Sequence, residues 1–236
     1  CYTDANGKIE IKNLRTGNYK LKEISTNEWY NLAEDQDLQI KWDETTKTQV
    51  EDELKKGQIK VIKVDKENHE IKIPNVVFEV QDSNGNVLEK ITTDENGEAL
   101  TSKYPLRDYP SLRLHEIETD EKYALENEIK EITLEENQIK DVQIENEKIK
   151  GYIQIVKTSK EDNKINENKK GEALEGVKFE IYDINGNLIQ ELTTDSKGMA
   201  KSKELEKGIY KVKEVETNEW YLLDNNTYEA EIKNNK

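Results

Sequence analysis

The sequence predicts an all-β chain of tandem β-sandwich repeats, and three observations carry that expectation. Short apolar runs alternate with polar residues, Asn-Gly dipeptides sit between them, and one unit recurs three times. Alternating runs rich in Val, Ile, Tyr and Leu mark strands with one face buried and the other in water. Asn84-Gly85, Asn96-Gly97 and Asn185-Gly186 accept the positive φ that tight hairpins require.

Recurrence sets the organisation of the chain. Residues 94–124 read DENGEALTSKYPLRDYPSLRLHEIETDEKYA, residues 195–222 read DSKGMAKSKELEKGIYKVKEVETNEWYL, and residues 4–32 read DANGKIEIKNLRTGNYKLKEISTNEWYNL. The second and third copies also agree upstream, VVFEVQDSNGNVLEKITTDENG from Val76 matching VKFEIYDINGNLIQELTTDSKG from Val177. Each of these opens on a strand after a glycine, QIKVIKVD after Gly57 and YIQIVKTS after Gly151, whereas the first copy lacks that half. The predicted units are therefore a partial domain over 1–56 and complete domains over 57–149 and 150–236.

Composition narrows the function classes. Only 33% of residues are apolar and 37% are charged, which suits a thin core whose strands show one face to solvent. Disorder is the competing reading at that polarity, and the strict alternation opposes it. A formal charge of −15, with lysines interleaved among glutamates, argues against nucleic acid as a partner. Cys1 is the only cysteine, so internal disulfides and a Cys-rich zinc site are excluded; it aligns with Ile91 and Leu192 and reads as a strand residue. The Asp82-Ser-Asn84-Gly85 and Asp183-Ile-Asn185-Gly186 turns lack the spaced carboxylates of a calcium loop, so no metal or cofactor is expected. No apolar run is long enough to span a bilayer, and no membrane insertion is expected of this segment.

Strand parity singles out a set of polar residues. Side chains two apart share a face, so Ile59, Val61 and Lys63 face one way, as do Ile153, Ile155 and Lys157. A later strand places Leu112, Leu114 and Glu116 in line in the second copy, Tyr210, Val212 and Glu214 in the third, and Tyr19, Leu21 and Glu23 in the first. The final strand aligns Val142, Ile144 and Asn146, then Tyr228, Ala230 and Ile232 leading to Asn234 with Asn235 beside it, and Thr48 and Val50 leading to Asp52. For a single strand, the favoured reading of such a residue is the point where the chain leaves the core for water. Recurrence of Lys, Glu and Asn or Asp on inward faces points to chemistry instead.

An unpaired buried charge costs several kcal/mol, so these groups are expected to be paired or neutralised. Burial disfavours the charged form of each, which leaves a neutral amine beside a protonated carboxyl. Such an amine is a nucleophile toward an Asn or Asp carbonyl, with the glutamate moving protons and stabilising the oxyanion. The product is a side-chain amide, formed once per site with loss of ammonia from Asn or water from Asp.

The chain resembles the B-type repeat of Gram-positive collagen-binding surface proteins, also called the Cna-B or SpaA-like prealbumin-like domain. The motifs that carry the resemblance are the opening strand at Gly57 to Lys63, F-x-V-x-D-x-x-G from Phe78, T-D-x-x-G from Thr93, and G-x-Y-x-V-x-E from Gly208. The resemblance implies immunoglobulin-like sandwiches arranged as a rod, in which a first-strand Lys joins a last-strand Asn or Asp under catalysis by the Glu. Carried over, it assigns Lys63, Glu116 and Asn146 to the second copy, Lys157, Glu214 and Asn234 to the third, and Glu23 with Asp52 to the first. In the first copy the lysine would lie upstream of Cys1. The family's A-P-x-G-Y segment after the glutamate is replaced by T-N-E-W-Y in two copies.

The resemblance further implies a stalk of a cell-wall adhesin or pilin outside a Gram-positive cell, with neighbouring repeats or pilus subunits as partners and any host matrix ligand held by another region. The alternative is a module that binds host matrix protein or glycan through Trp29-Tyr30, Trp220-Tyr221 and Trp42. Recurrence of the Trp-Tyr pair just beyond the glutamate strand points to packing over the cross-link. A hydrolase fits worst, because His69 and His115 are the only histidines and neither sits in a catalytic motif.

Overall fold

The computed structural model describes residues 1–233, and strands are the only regular secondary structure among them. In the first copy, β1 (Gly17–Leu21) and β2 (Gln36–Ile40) form an antiparallel pair. The stretch from Thr48 to Asp52, expected as a strand, is not one. A strand needs a ladder partner for its N–H and C=O groups, and no lysine strand precedes this stretch within residues 1–56.

Eight strands build the middle copy: β3 (Lys56–Asp65), β4 (Val77–Gln81), β5 (Val87–Thr92), β6 (Glu98–Leu100), β7 (Tyr104–Pro105), β8 (Ser111–Glu118), β9 (Lys130–Thr133) and β10 (Ile139–Asn146). One sheet runs β5-β4-β8-β9, all antiparallel. The other centres on β3, antiparallel to β6 and β7 and parallel to β10, which sets Val142 beside Val61 and Ile144 beside Lys63. Ile59, Val61, Phe78, Val80, Leu112 and Leu114 meet between the sheets in one buried cluster. The alternation on each strand has thus been spent on a single shared core.

The last copy has β11 (Lys150–Gly151), β12 (Gln154–Val156), β13 (Lys178–Tyr182), β14 (Leu188–Thr193), β15 (Met199–Lys201), β16 (Leu205–Glu206), β17 (Gly208–Glu216) and β18 (Thr227–Ile232). Its main sheet runs β14-β13-β17-β18. β18 sets Tyr228 opposite Val212, as β9 sets Lys130 opposite Leu114. Val212 and Leu114 occupy the same repeat position, so β18 is the counterpart of β9. Gly151 confirms the match, because a Cβ there would meet Ile232 at 3.0 Å, just as one on Gly57 would meet Leu134 at 2.9 Å.

The residues leading to Asn234 therefore do not form the closing strand that parity suggested, and no counterpart of β10 exists among the described residues. Alternation alone is the same for both strands, and only the pairing distinguishes them. Asn234 itself lies outside the described residues.

Two glycines register the T-D-x-x-G turns against the lysine strands. Gly97 has φ 71° and Gly198 φ 67°, and their carbonyls accept the backbone N–H of Lys63 at 2.8 Å and of Lys157 at 2.7 Å. A Cβ on Gly97 would stand 2.7 Å from the Lys63 carbonyl oxygen. Gly97→Ala is accordingly expected to cost at least about 2 kcal/mol, from left-handed backbone strain plus this clash. A lower urea midpoint for the middle copy is the measurement. In the neighbouring hairpins only the glycines, Gly85 and Gly186, take positive φ, while Asn84 and Asn185 do not. There Asp82 and Asp183 close the loop by accepting N–H groups two and four residues on.

Asp65 ends β3 almost fully buried. Burial would raise its pKa, but the hydroxyl of Tyr123 at 2.9 Å and the N–H groups of Asn68 and Glu67 outweigh that and hold it below 3.8. A depressed carboxylate contributes stability above its unfolded pKa and loses it as pH falls through the folded one. Tyr123→Phe should cost about 1.5–3 kcal/mol at neutral pH, the range for hydrogen bonds to charged groups. Urea titrations in acid should show the difference shrinking as Asp65 protonates.

Candidate functional site

Three strands deliver the polar set to the core of the middle copy. Lys63 comes from β3, Glu116 from β8 in the facing sheet, and Asn146 from the end of β10. All are at most 2% exposed. Each continues an inward face, following Ile59 and Val61, Leu112 and Leu114, and Val142 and Ile144 respectively.

They form a closed triangle. Lys63 Nζ lies 2.6 Å from Glu116 Oε2 and donates to Asn146 Oδ1 at 2.6 Å. Asn146 Nδ2 donates to Glu116 Oε1 at 2.6 Å. The Nζ–Oε2 approach is a close ion pair without hydrogen-bond alignment, which leaves Oε2 without a hydrogen-bond donor among the described residues. Phe78 closes the site on one side, its ring centroid 5.8 Å from Nζ.

Burial pushes the Lys63 pKa below its ordinary 10.5, against the adjoining Glu116 carboxylate, which pulls it up. The amine is thereby moved toward its nucleophilic form while it touches both a proton acceptor and a carboxamide. One carboxylate bridges the amine through Oε2 and the amide nitrogen through Oε1, so it reaches both the attacking and the leaving nitrogen.

A fourth residue joins the site that parity could not reveal. Asn146 Nδ2 also donates to Thr119 Oγ1 at 2.9 Å. Thr119 follows Glu116 by three residues, just past the end of β8. The available signal was recurrence: Thr26 and Thr217 stand three residues after Glu23 and Glu214.

The outer copies keep parts of this arrangement. In the last, Lys157 Nζ lies 2.5 Å from Glu214 Oε2, with Glu214 buried and the lysine side chain 23% exposed. Glu214 Oε1 and Thr217 Oγ1 are buried without a hydrogen-bond partner among the described residues. Those are the two positions that receive Asn146 Nδ2 in the middle copy. In the first copy, Glu23 is half-buried and accepts the N–H of Ala33 at 2.8 Å, and Thr26 donates to Asp52. Asp52 is thus brought to Thr26 and not to Glu23, and no lysine joins them among the described residues.

Tryptophan does not cover the site. Trp29, Trp220 and Trp42 are 37%, 45% and 86% exposed, whereas the tyrosines pack: Tyr123 is buried in the middle core and Tyr221 packs on the last one. The backbone of the Trp position does the structural task, since the carbonyls of Trp29 and Lys122 accept the N–H of Lys55 and Ile149. Lysine serves equally there because the side chain points away from the work.

A family model described as the SpaA prealbumin-like fold domain matches residues 1–54, 57–148 and 153–236. Among solved structures, the TIE protein of Bacillus anthracis is 28% identical with a TM-score of 0.79, over 99% of this chain and 42% of that one. The chain therefore spans less than half the length of that protein. A streptococcal ancillary pilin is 20% identical with a TM-score of 0.38, over 94% of this chain and 73% of its own. The minor pilin of Streptococcus agalactiae is 18% identical with a TM-score of 0.32, over 76% and 91%. No match was found among curated proteins.

Proposed function

Because the chain belongs to the SpaA family of prealbumin-like fold domains, we propose that it is a stalk segment of a Gram-positive surface protein, an adhesin or a pilus shaft, whose middle domain closes its own isopeptide bond. The partial domain over 1–56, the domain over 57–149 and the domain opening at 150 are successive units of that stalk. The observation that carries the reading is the buried Lys63–Glu116–Asn146 triangle, with all three contacts at 2.6 Å.

The chemistry balances within the triangle. Glu116 takes a proton from the Lys63 ammonium, and the freed Nζ lone pair attacks Asn146 Cγ. A second Nζ proton passes through the carboxyl to Nδ2, the Cγ–Nδ2 bond breaks, and ammonia departs. The products are an Nζ–Cγ amide, one ammonia and a protonated Glu116. The reaction occurs once, so the domain is a self-modifying scaffold and not a turnover enzyme. Neighbouring repeats or subunits are its partners, and a host ligand would be held elsewhere in the protein.

The proposed bond joins the first and last strands, β3 and β10, which are also the strands that connect the domain to its neighbours. Intact mass tests the reading directly: one ammonia should be missing, and Lys63→Met should restore it. A full sequence mass for the unsubstituted chain would overturn it.

A further inference from the structure

We propose that Thr119 orients the leaving nitrogen of Asn146, and that Thr26 and Thr217 hold the same place in the outer copies. The inference rests on the reading that Lys63 and Asn146 condense, and it adds a residue that the family's A-P-x-G-Y segment does not contain at this position.

Both hydrogens of Asn146 Nδ2 are engaged, one by Glu116 Oε1 at 2.6 Å and one by Thr119 Oγ1 at 2.9 Å. With both taken, the carboxamide has one orientation, Oδ1 toward Lys63 and Nδ2 toward Glu116. The flipped amide would set the Nδ2 donors against the Lys63 ammonium and leave the Glu116 carboxylate facing a carbonyl oxygen. Glu116 would then no longer touch the nitrogen it must protonate. Holding a reacting group in its productive orientation is a recognised source of rate.

The threonine is held by a turn repeated in all three copies. Asn27, Asp120 and Asn218 each follow it directly. Each side-chain oxygen accepts the N–H two residues on, from Trp29, Lys122 and Trp220. The carbonyls of the same three residues accept the N–H of Tyr30, Tyr123 and Tyr221. This Asx-type turn fixes the backbone just beyond the threonine.

A hydroxyl suits the position because it both donates and accepts. Thr119 accepts from an amide, whereas Thr26 donates to the Asp52 carboxylate. The same residue therefore serves a closing Asn or a closing Asp. In the last copy the Thr217 hydroxyl and Glu214 Oε1 are both buried without a partner among the described residues, the pair of positions that an amide nitrogen occupies in the middle copy.

The test is the rate of ammonia loss, followed by intact mass after cell-free synthesis and timed quenching in denaturant. Thr119→Val keeps the shape and removes the hydroxyl, and it should slow bond formation by about tenfold or more. Thr119→Ser keeps the hydroxyl and removes the methyl, and it should stay near the unsubstituted rate. Urea midpoints of both variants in a Lys63→Met background separate chemistry from packing. A packing role predicts that the serine variant is slow as well, and that rate follows stability. Equal rates for valine and the unsubstituted chain, or slow rates for both variants, overturn the proposal. Absence of ammonia loss in the unsubstituted chain overturns the condensation itself and this inference with it.

Discussion

Intact-mass measurement of the chain is expected to fall one ammonia short of the sequence mass, with the missing nitrogen mapped to a peptide pair joined through Lys63 and Asn146. The expectation is one ammonia and not two, because Lys157 and Glu214 meet no amide among the described residues, and the strand before Asn234 is the counterpart of β9. Glu116→Gln is the sharpest variant. It preserves the size of the side chain and removes the group that accepts the Lys63 proton. General acid–base groups contribute about 10²–10⁴-fold, so the glutamine variant should retain its ammonia over the time in which the unsubstituted chain reacts completely. Glu116→Ala should fail as well and should also destabilise the fold, because removing one partner of a buried ion pair costs about 3–5 kcal/mol. A Glu116→Gln chain that loses ammonia at the ordinary rate would remove the glutamate from the mechanism.

Under tension the middle domain is expected to stay folded when its bond is formed and to give way when it is not. Load enters along β3 and leaves at the end of β10, and these strands lie parallel in register, Lys63 beside Ile144 and Asp65 beside Asn146. A bond from Lys63 to Asn146 carries force across that pair and shields the whole segment between them. Asn146→Ala removes the electrophile. Pulling should then release the chain between positions 83 apart in sequence, roughly 280 Å when fully extended. The unsubstituted domain should give no such step. Without force, closing a loop of that size is worth about 4.5 kcal/mol on the loop-entropy argument used for disulfides, and the urea midpoint of Asn146→Ala should fall accordingly. An unfolding step of full length in the unsubstituted chain would show that the bond does not bear the load.

Much of this site was legible before any coordinates because β structure has a period of two. Once Ile59 and Val61 are read as buried, Lys63 must face the same way, and the same logic places Glu116 and Asn146 inside. The repeat added weight, since a polar residue at the end of an apolar face is uninformative once and informative when matched in several strands. Thr119 escaped because it stands beyond the end of β8, where no strand periodicity ties side-chain direction to sequence spacing. The exposed tryptophans were misread for a related reason: the turn uses the backbone at Trp29 and Trp220, and recurrence does not reveal whether backbone or side chain is being kept.

Sequence by itself determined the inward faces that carry Lys63, Glu116 and Asn146 and the chemical kind of those three residues, because alternation is local and each strand carries its own record of which side is wet. Tertiary structure alone decided which strands become neighbours. Tyr228, Ala230 and Ile232 have the parity of a closing strand, yet β18 lies antiparallel against β17, while β10 lies parallel to β3. Pairing depends on backbone hydrogen bonds between distant segments, which leave no mark on the pattern of either one. The number of sites ready to react is thus a property of the fold: three glutamates were readable in the sequence, and among the described residues one of them meets both a lysine and an amide.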